Sequence, residues 1–188
     1  MVERTSYVRP KIVNMKWITF FVSGLLVSLG LSSPVHAQDK QAHAAHSHGA
    51  GLLELSVQGG KVSGSFEIPM ESLLGHEHLP RTEAQKKAMA NLQSGLASAD
   101  YFMALPAAAQ CKQISLKASS SMFEGKKSEH SDLDIDVAFE CAQPAALTEL
   151  RIALFAKHPR LKSLKVDMVG PKGQKSLSLT AKDPVLRF

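Results

Sequence analysis

The histidines are the residues whose type and spacing could do chemistry. The chain has eight, unevenly placed. His43, His46 and His48 fall within six residues, His76 and His78 flank Glu77, and His130 stands two residues before Asp132. Neutral imidazole ligates Zn²⁺, Cu²⁺ and Ni²⁺, and carboxylates complete such sets. In an extended segment residues i and i+2 face the same side. His46 with His48, and His76 with His78, can therefore each offer two rings to one ion. Two such pairs, or one pair with His130, would complete a tetrahedral set. Glu77 and Asp132 are placed to join a site or to orient a ring N–H. Plainer readings stand beside these. Residues 43–48 also describe a solvated tail, and Asp132, Asp134 and Asp136 describe the wet face of a strand. His158, alone before Pro159, reads as structural.

No other chemistry is legible. The chain has no G-x-S-x-G elbow, no phosphate-cradling glycine loop, no H-E-x-x-H and no EF-hand loop, so an enzyme is not expected. The only cysteines are Cys111 and Cys141, and their role depends on the compartment.

The N-terminus bears on that. Trp17 to Leu31 is a nearly unbroken apolar run of 15 residues, preceded by Arg4, Arg9, Lys11 and Lys16 and followed by Val35-His36-Ala37. This is the pattern of a secretory signal peptide cleaved after Ala37. The run is shorter than the 18 or so residues that suggest a membrane span. Met15 would serve equally well as the start of translation. Removing residues 1–37 takes away those four cations and one acid, Glu3, so the net charge of +5 falls to +2. The basic excess therefore belongs to the leader and argues for no nucleic-acid partner. The composition, 44% apolar and 21% charged, argues against general disorder. In an oxidising compartment two thiols of one small domain usually pair. Closing a loop of about 30 residues would contribute roughly 3–4 kcal/mol. The rival reading, two thiolates on one metal, needs a reducing compartment.

The elements that must position these side chains follow from hydrophobic period. Residues 38–50 read as a flexible His-containing lead-in, and 51–188 as a single metal-binding domain. Leu53, Leu55 and Val57, then Gly59-Gly60, then Val62, Gly64, Phe66 and Ile68 predict a hairpin with one buried face. Pro69 ends it, and residues 70–80 read as a loop anchored by Leu73 and Leu74. Pro80, the capping box Thr82-x-x-Gln85 and the stripe Met89, Leu92, Leu96 predict a helix from Thr82 to about Ser98. Alternation at Ile114/Leu116/Ala118, Leu133/Ile135/Val137/Phe139, Leu150/Ile152/Leu154, Leu164/Val166/Met168 and Leu177/Leu179 predicts further strands. The fold class expected is α+β, a mainly antiparallel sheet with one principal amphipathic helix.

The order of motifs carries a resemblance. His46-Ser47-His48-Gly49-Ala50 opens a strand, and Leu73-Leu74-Gly75-His76-Glu77-His78-Leu79-Pro80 precedes the capping box. Leu105-Pro106-Ala107-Ala108 precedes Cys111, His130-Ser131-Asp132 precedes Phe139-Glu140-Cys141, and Gly170-Pro171-x-Gly173-Gln174 lies near the end. From about His46 onward the chain resembles the His-rich periplasmic zinc-uptake proteins of the ZrgA family, long catalogued as a bacterial domain of unknown function. The resemblance implies a periplasmic zinc-binding protein without catalytic activity that assists zinc acquisition, with a zinc importer or its binding protein as partner. The positions that carry over as ligands are His46, His48, His78 and His130, with His43, His76, Glu77 and Asp132 secondary. Two departures matter. His76 stands where many relatives have an aromatic residue, and residues 119–129, between the cysteines, are short and lack histidine where many relatives carry a long His/Asp-rich loop. This favours one ordered site, or a site plus a weak one. The alternative function is an envelope interaction or structural module whose histidines bind metal only loosely.

Overall fold

Gly59 and Gly60 set the first hairpin. They join β1 (Ala50–Gln58) to β2 (Lys61–Pro69), with Gln58 opposite Lys61. Gly59 takes a positive φ of 58°, which costs glycine little. Gly60 lies so near the Cys141 carbonyl that a Cβ there would sit 2.5 Å from its oxygen. In this computed structural model the described residues are 48–188; the expected leader and most of the lead-in, with His43 and His46, lie outside them.

The predicted α+β class holds. Six strands form one sheet in the order β4-β5-β2-β1-β7-β8, where β4 is Cys111–Ser119, β5 Asp132–Cys141, β7 Ser163–Gly170 and β8 Gly173–Thr180. Every pairing is antiparallel except β1 with β7. A smaller sheet joins β3 (Met103–Ala104), β6 (Glu149–Ile152) and β9 (Val185–Arg187). One face of the large sheet is buried through Leu53, Leu55, Val62, Phe66, Ile68, Leu133, Ile135, Leu164 and Val166. Phe66 meets Phe102 edge-on at 5.4 Å. The other face is polar and open, as antiparallel sheets allow. No helix among the described residues is long and apolar enough to cross a membrane.

Between β2 and β3 lie α1 (Met70–Leu74) and the principal helix α2 (Glu83–Gly95). Both halves of the capping box at Thr82 and Gln85 form. Leu92 is buried and Met89 packs against the core. The helix ends before Ser98 because the chain turns back to lay the Tyr101 ring on Gly95, where a Cβ would meet that ring at 2.2 Å. Other expectations are corrected too. Residues 70–74 are helical rather than loop. Leu154 opens a helical turn, α3 (Leu154–Lys157), instead of extending β6. A bulge between Gln113 and Ser115 turns Ile114 out to solvent; an extra residue in one strand breaks the alternation.

Cys111 and Cys141 form the expected disulfide. They sit directly opposite each other on β4 and β5, and the Ala142 N–H donates to the Gln110 carbonyl beside them. That makes them a non-hydrogen-bonded pair, the register position where facing side chains come closest.

Candidate metal centre

Strand direction gathers the histidines. Ala50, the first residue of β1, pairs with Ser163, the first of β7. Pro69, the last of β2, pairs with Asp132, the first of β5. These four strand termini form one end of the large sheet. His48 stands two residues before β1, His76 and His78 follow β2 through α1, His130 stands two residues before β5, and His158 precedes β7. All five histidines among the described residues thus attach at that end.

Backbone bonds lock the segments together. Gly49 donates its N–H to the buried Ser72 hydroxyl, and its carbonyl accepts from the N–H groups of Lys162 and Ser163. The Met70 N–H donates to the Ser131 carbonyl at 2.9 Å. After α1, Gly75 turns with φ +83° beneath the Arg160 guanidinium, whose Nε would be 2.9 Å from a Cβ there.

From this turn the donors take two sides. His76 and His78 stack, with ring centroids 4.7 Å apart and planes 18° from parallel. Glu77 between them faces His130, with 3.3 Å from carboxylate oxygen to Nδ1. The tautomers of the stacked pair follow from their partners. His76 Nδ1 lies 2.9 Å from the His78 carbonyl oxygen, and His78 Nδ1 lies 2.9 Å from the Leu79 carbonyl oxygen. A carbonyl only accepts, so each Nδ1 carries a proton, and in the neutral ring each Nε2 holds a lone pair. His76 is 9% exposed. Its Nε2 is the one buried side-chain nitrogen or oxygen without a hydrogen-bond partner among the described residues.

His48, mostly exposed, faces Glu71 at 3.4 Å. Asp132 begins β5, adjacent to this end. Among the described residues no three of His, Cys, Asp and Glu gather within reach of one ion. His43 and His46 lie outside the described residues. The cysteines are spent in the disulfide, so the donors on offer are imidazole nitrogens and carboxylate oxygens.

His158 has a different role. Its Nδ1–H donates to the Leu73 carbonyl at 3.1 Å, and its Nε2 accepts from the Tyr101 hydroxyl at 3.0 Å. Burial holds it below the ordinary imidazole range; the bond to Leu73 opposes that shift and the charge of Lys157 adds to it. Burial likewise pushes the Tyr101 phenol up. This is the structural histidine the sequence suggested. Glu71, Tyr101 and Arg160 are not readable as site neighbours from sequence, since their roles come from chain segments tens of residues away.

A concavity of about 860 Å³ lies elsewhere, over the open face of the sheet. Its aspartates have partners: Asp136 accepts from Ser65, and Asp167 from Lys165 and Ser176. It is the wet strand face expected from the alternating aspartates.

Residues 45–188 match the family model described as ZrgA family zinc uptake protein. No curated protein matches the chain.

Proposed function

The chain belongs to the ZrgA family of zinc uptake proteins, and on that premise we propose that it is a periplasmic zinc-binding accessory protein that assists zinc acquisition or delivery. The ligands are drawn from His46, His48, His78 and His130, with His43, His76, Glu77 and Asp132 in support. The observation that carries this reading is the attachment of His48, His76, His78 and His130 at one end of one sheet. An imidazole and carboxylate donor set suits Zn²⁺, with Cu²⁺ and Ni²⁺ as competitors. The His48 and His130 side chains are 77% and 64% exposed, which suits an ion that is cargo and must be passed on. The receiving partner is a zinc importer or its binding protein. Export is supported by the leader pattern and by the disulfide.

The test is calorimetric titration of the exported protein with Zn²⁺, Cu²⁺ and Ni²⁺, followed by competition with a chelator of known affinity. At least one Zn²⁺ is expected to bind with micromolar or tighter dissociation. Ligand nitrogens must be unprotonated, so affinity is expected to fall as pH drops from about 7.5 to about 5.5. A folded protein that keeps no zinc through buffer exchange ends this reading, and leaves a non-catalytic envelope interaction or structural module.

A further inference from the structure

We propose that the turn after α1 carries two metal sites on its opposite sides: a bis-imidazole site of His76 and His78, and a separate nitrogen–carboxylate site founded on Glu77 and His130. The proposal rests on the zinc-binding reading and divides its donors.

The first observation is the bare His76 Nε2. A buried acceptor left without a donor is costly and rare in folded proteins. Here the bond from Nδ1–H to the His78 carbonyl fixes the tautomer of the neutral ring, whose Nε2 then accepts a hydrogen bond or ligates a cation. His78 is fixed in the same tautomer two residues on. Two adjacent imidazoles with Nδ1 tied to backbone and Nε2 left for a ligand is the arrangement that metal-binding histidines adopt.

The second observation is the side that Glu77 takes. Glu77 and His78 lie in a bend, and the Glu77 carboxylate is at 3.3 Å from His130 while its neighbours stack on each other. No third donor stands within reach of either pair among the described residues. The pairs are therefore two nuclei, each to be completed by water or by the protein that receives the ion. The two also differ in charge. The His76/His78 side offers imidazole nitrogen alone, and suits borderline ions such as Zn²⁺, Cu²⁺ or Ni²⁺. The Glu77/His130 side brings an anion.

Loading the first site needs a movement. Near-parallel rings 4.7 Å apart do not converge on one ion at the roughly 2.0–2.1 Å that imidazole nitrogen requires. His78, less buried than His76, is the ring that turns so that both Nε2 atoms converge on one ion.

The experiment counts zinc retained per chain, by elemental analysis and calorimetry, in the exported parent protein, His76→Phe, His130→Ala and the double variant. Phenylalanine keeps the bulk of the buried ring without its nitrogens, and melting curves confirm folding. His76→Phe is expected to lose one ion and His130→Ala a different one. The affinity of the ion each retains should stay within about twofold of the parent, as for independent sites. The double variant should lose two. If both single substitutions remove the same ion, one composite site exists; the proposal falls and the zinc-binding function stands. If His76→Phe retains as many ions as the parent with unchanged affinity, His76 is a packing residue and the proposal falls. A parent that binds no zinc overturns the function as well.

Discussion

His158 and His76 are both buried imidazoles, and they differ in what the second ring nitrogen meets. In His158 it accepts from Tyr101, so both nitrogens are satisfied; in His76 it meets no donor. The first is therefore a stability element with a definite pH signature. Burial lowers its folded pKa, while in the unfolded chain histidine titrates near about 6.5. Between the two values the unfolded state takes up a proton and the folded state does not. The contribution of His158 is thus complete above about pH 6.5 and is lost as pH falls through the lowered folded value. His158→Phe is expected to cost about 1–3 kcal/mol at neutral pH through the two lost hydrogen bonds. It should also flatten the loss of stability seen on acidification. Urea denaturation of parent and variant across the pH range checks both statements, and an equally steep acid loss in the variant would assign that sensitivity to other groups.

Among the elements, β5 shows how a half-buried strand is tuned. Its outer face carries Asp132, Asp134 and Asp136, and Asp134 lies opposite Glu67 of β2. Burial first, then Asp132, Glu67 and Asp136, push the Asp134 carboxyl above its ordinary range, with Lys117 opposing. A raised folded pKa means that stability is fully present at low pH and is lost as pH rises through that value. The ionised group therefore burdens the sheet at neutral pH. Asp134→Asn is expected to raise the Tm at pH 7 by about 1–4 °C, with no gain near about pH 3, where the carboxyl is already protonated in both states. Thermal denaturation at the two pH values is the check. The strand itself was legible in sequence, as were the first hairpin and the capped helix, because alternation at Leu133, Ile135 and Val137 and the Thr82–Gln85 box are local patterns. The parallel β1–β7 pairing, the bulge at Gln113/Ser115 and the turn at Leu154 were not, since register and packing over long separations decide them. The site divides the same way. His76 and His78 announce themselves as neighbours, but Glu77 reaches His130 only through the pairing of Pro69 with Asp132.

For the molecule as a whole, the core and the disulfide hold the fold by means independent of any ion. Leu53, Phe66, Ile68, Phe102, Leu133 and Ile135 are essentially fully buried, and the Cys111–Cys141 bond closes a 30-residue separation. Zinc is therefore expected to raise the Tm by linkage alone, about 2.7 kcal/mol at a free concentration 100 times Kd. A chelator should reverse that rise without unfolding the protein. Scanning calorimetry with zinc and then with excess chelator is the measurement, and unfolding on chelation would make the ion a structural staple instead of cargo. The one parallel pairing has a kinetic consequence. β1 is an inner strand, yet the neighbour on one of its flanks is β7, more than a hundred residues later in the chain. Contacts of such long sequence separation form slowly. A chain that emerges from its N-terminus first must carry β1 with one row of backbone donors and acceptors open until its last quarter arrives. During that interval the open row is a template for wrong partners, and the Gly49 latch onto Lys162 and Ser163 cannot close. The His48 side of that end is thus finished only when β7 arrives, and a chain truncated before β7 cannot latch it to the rest of the sheet.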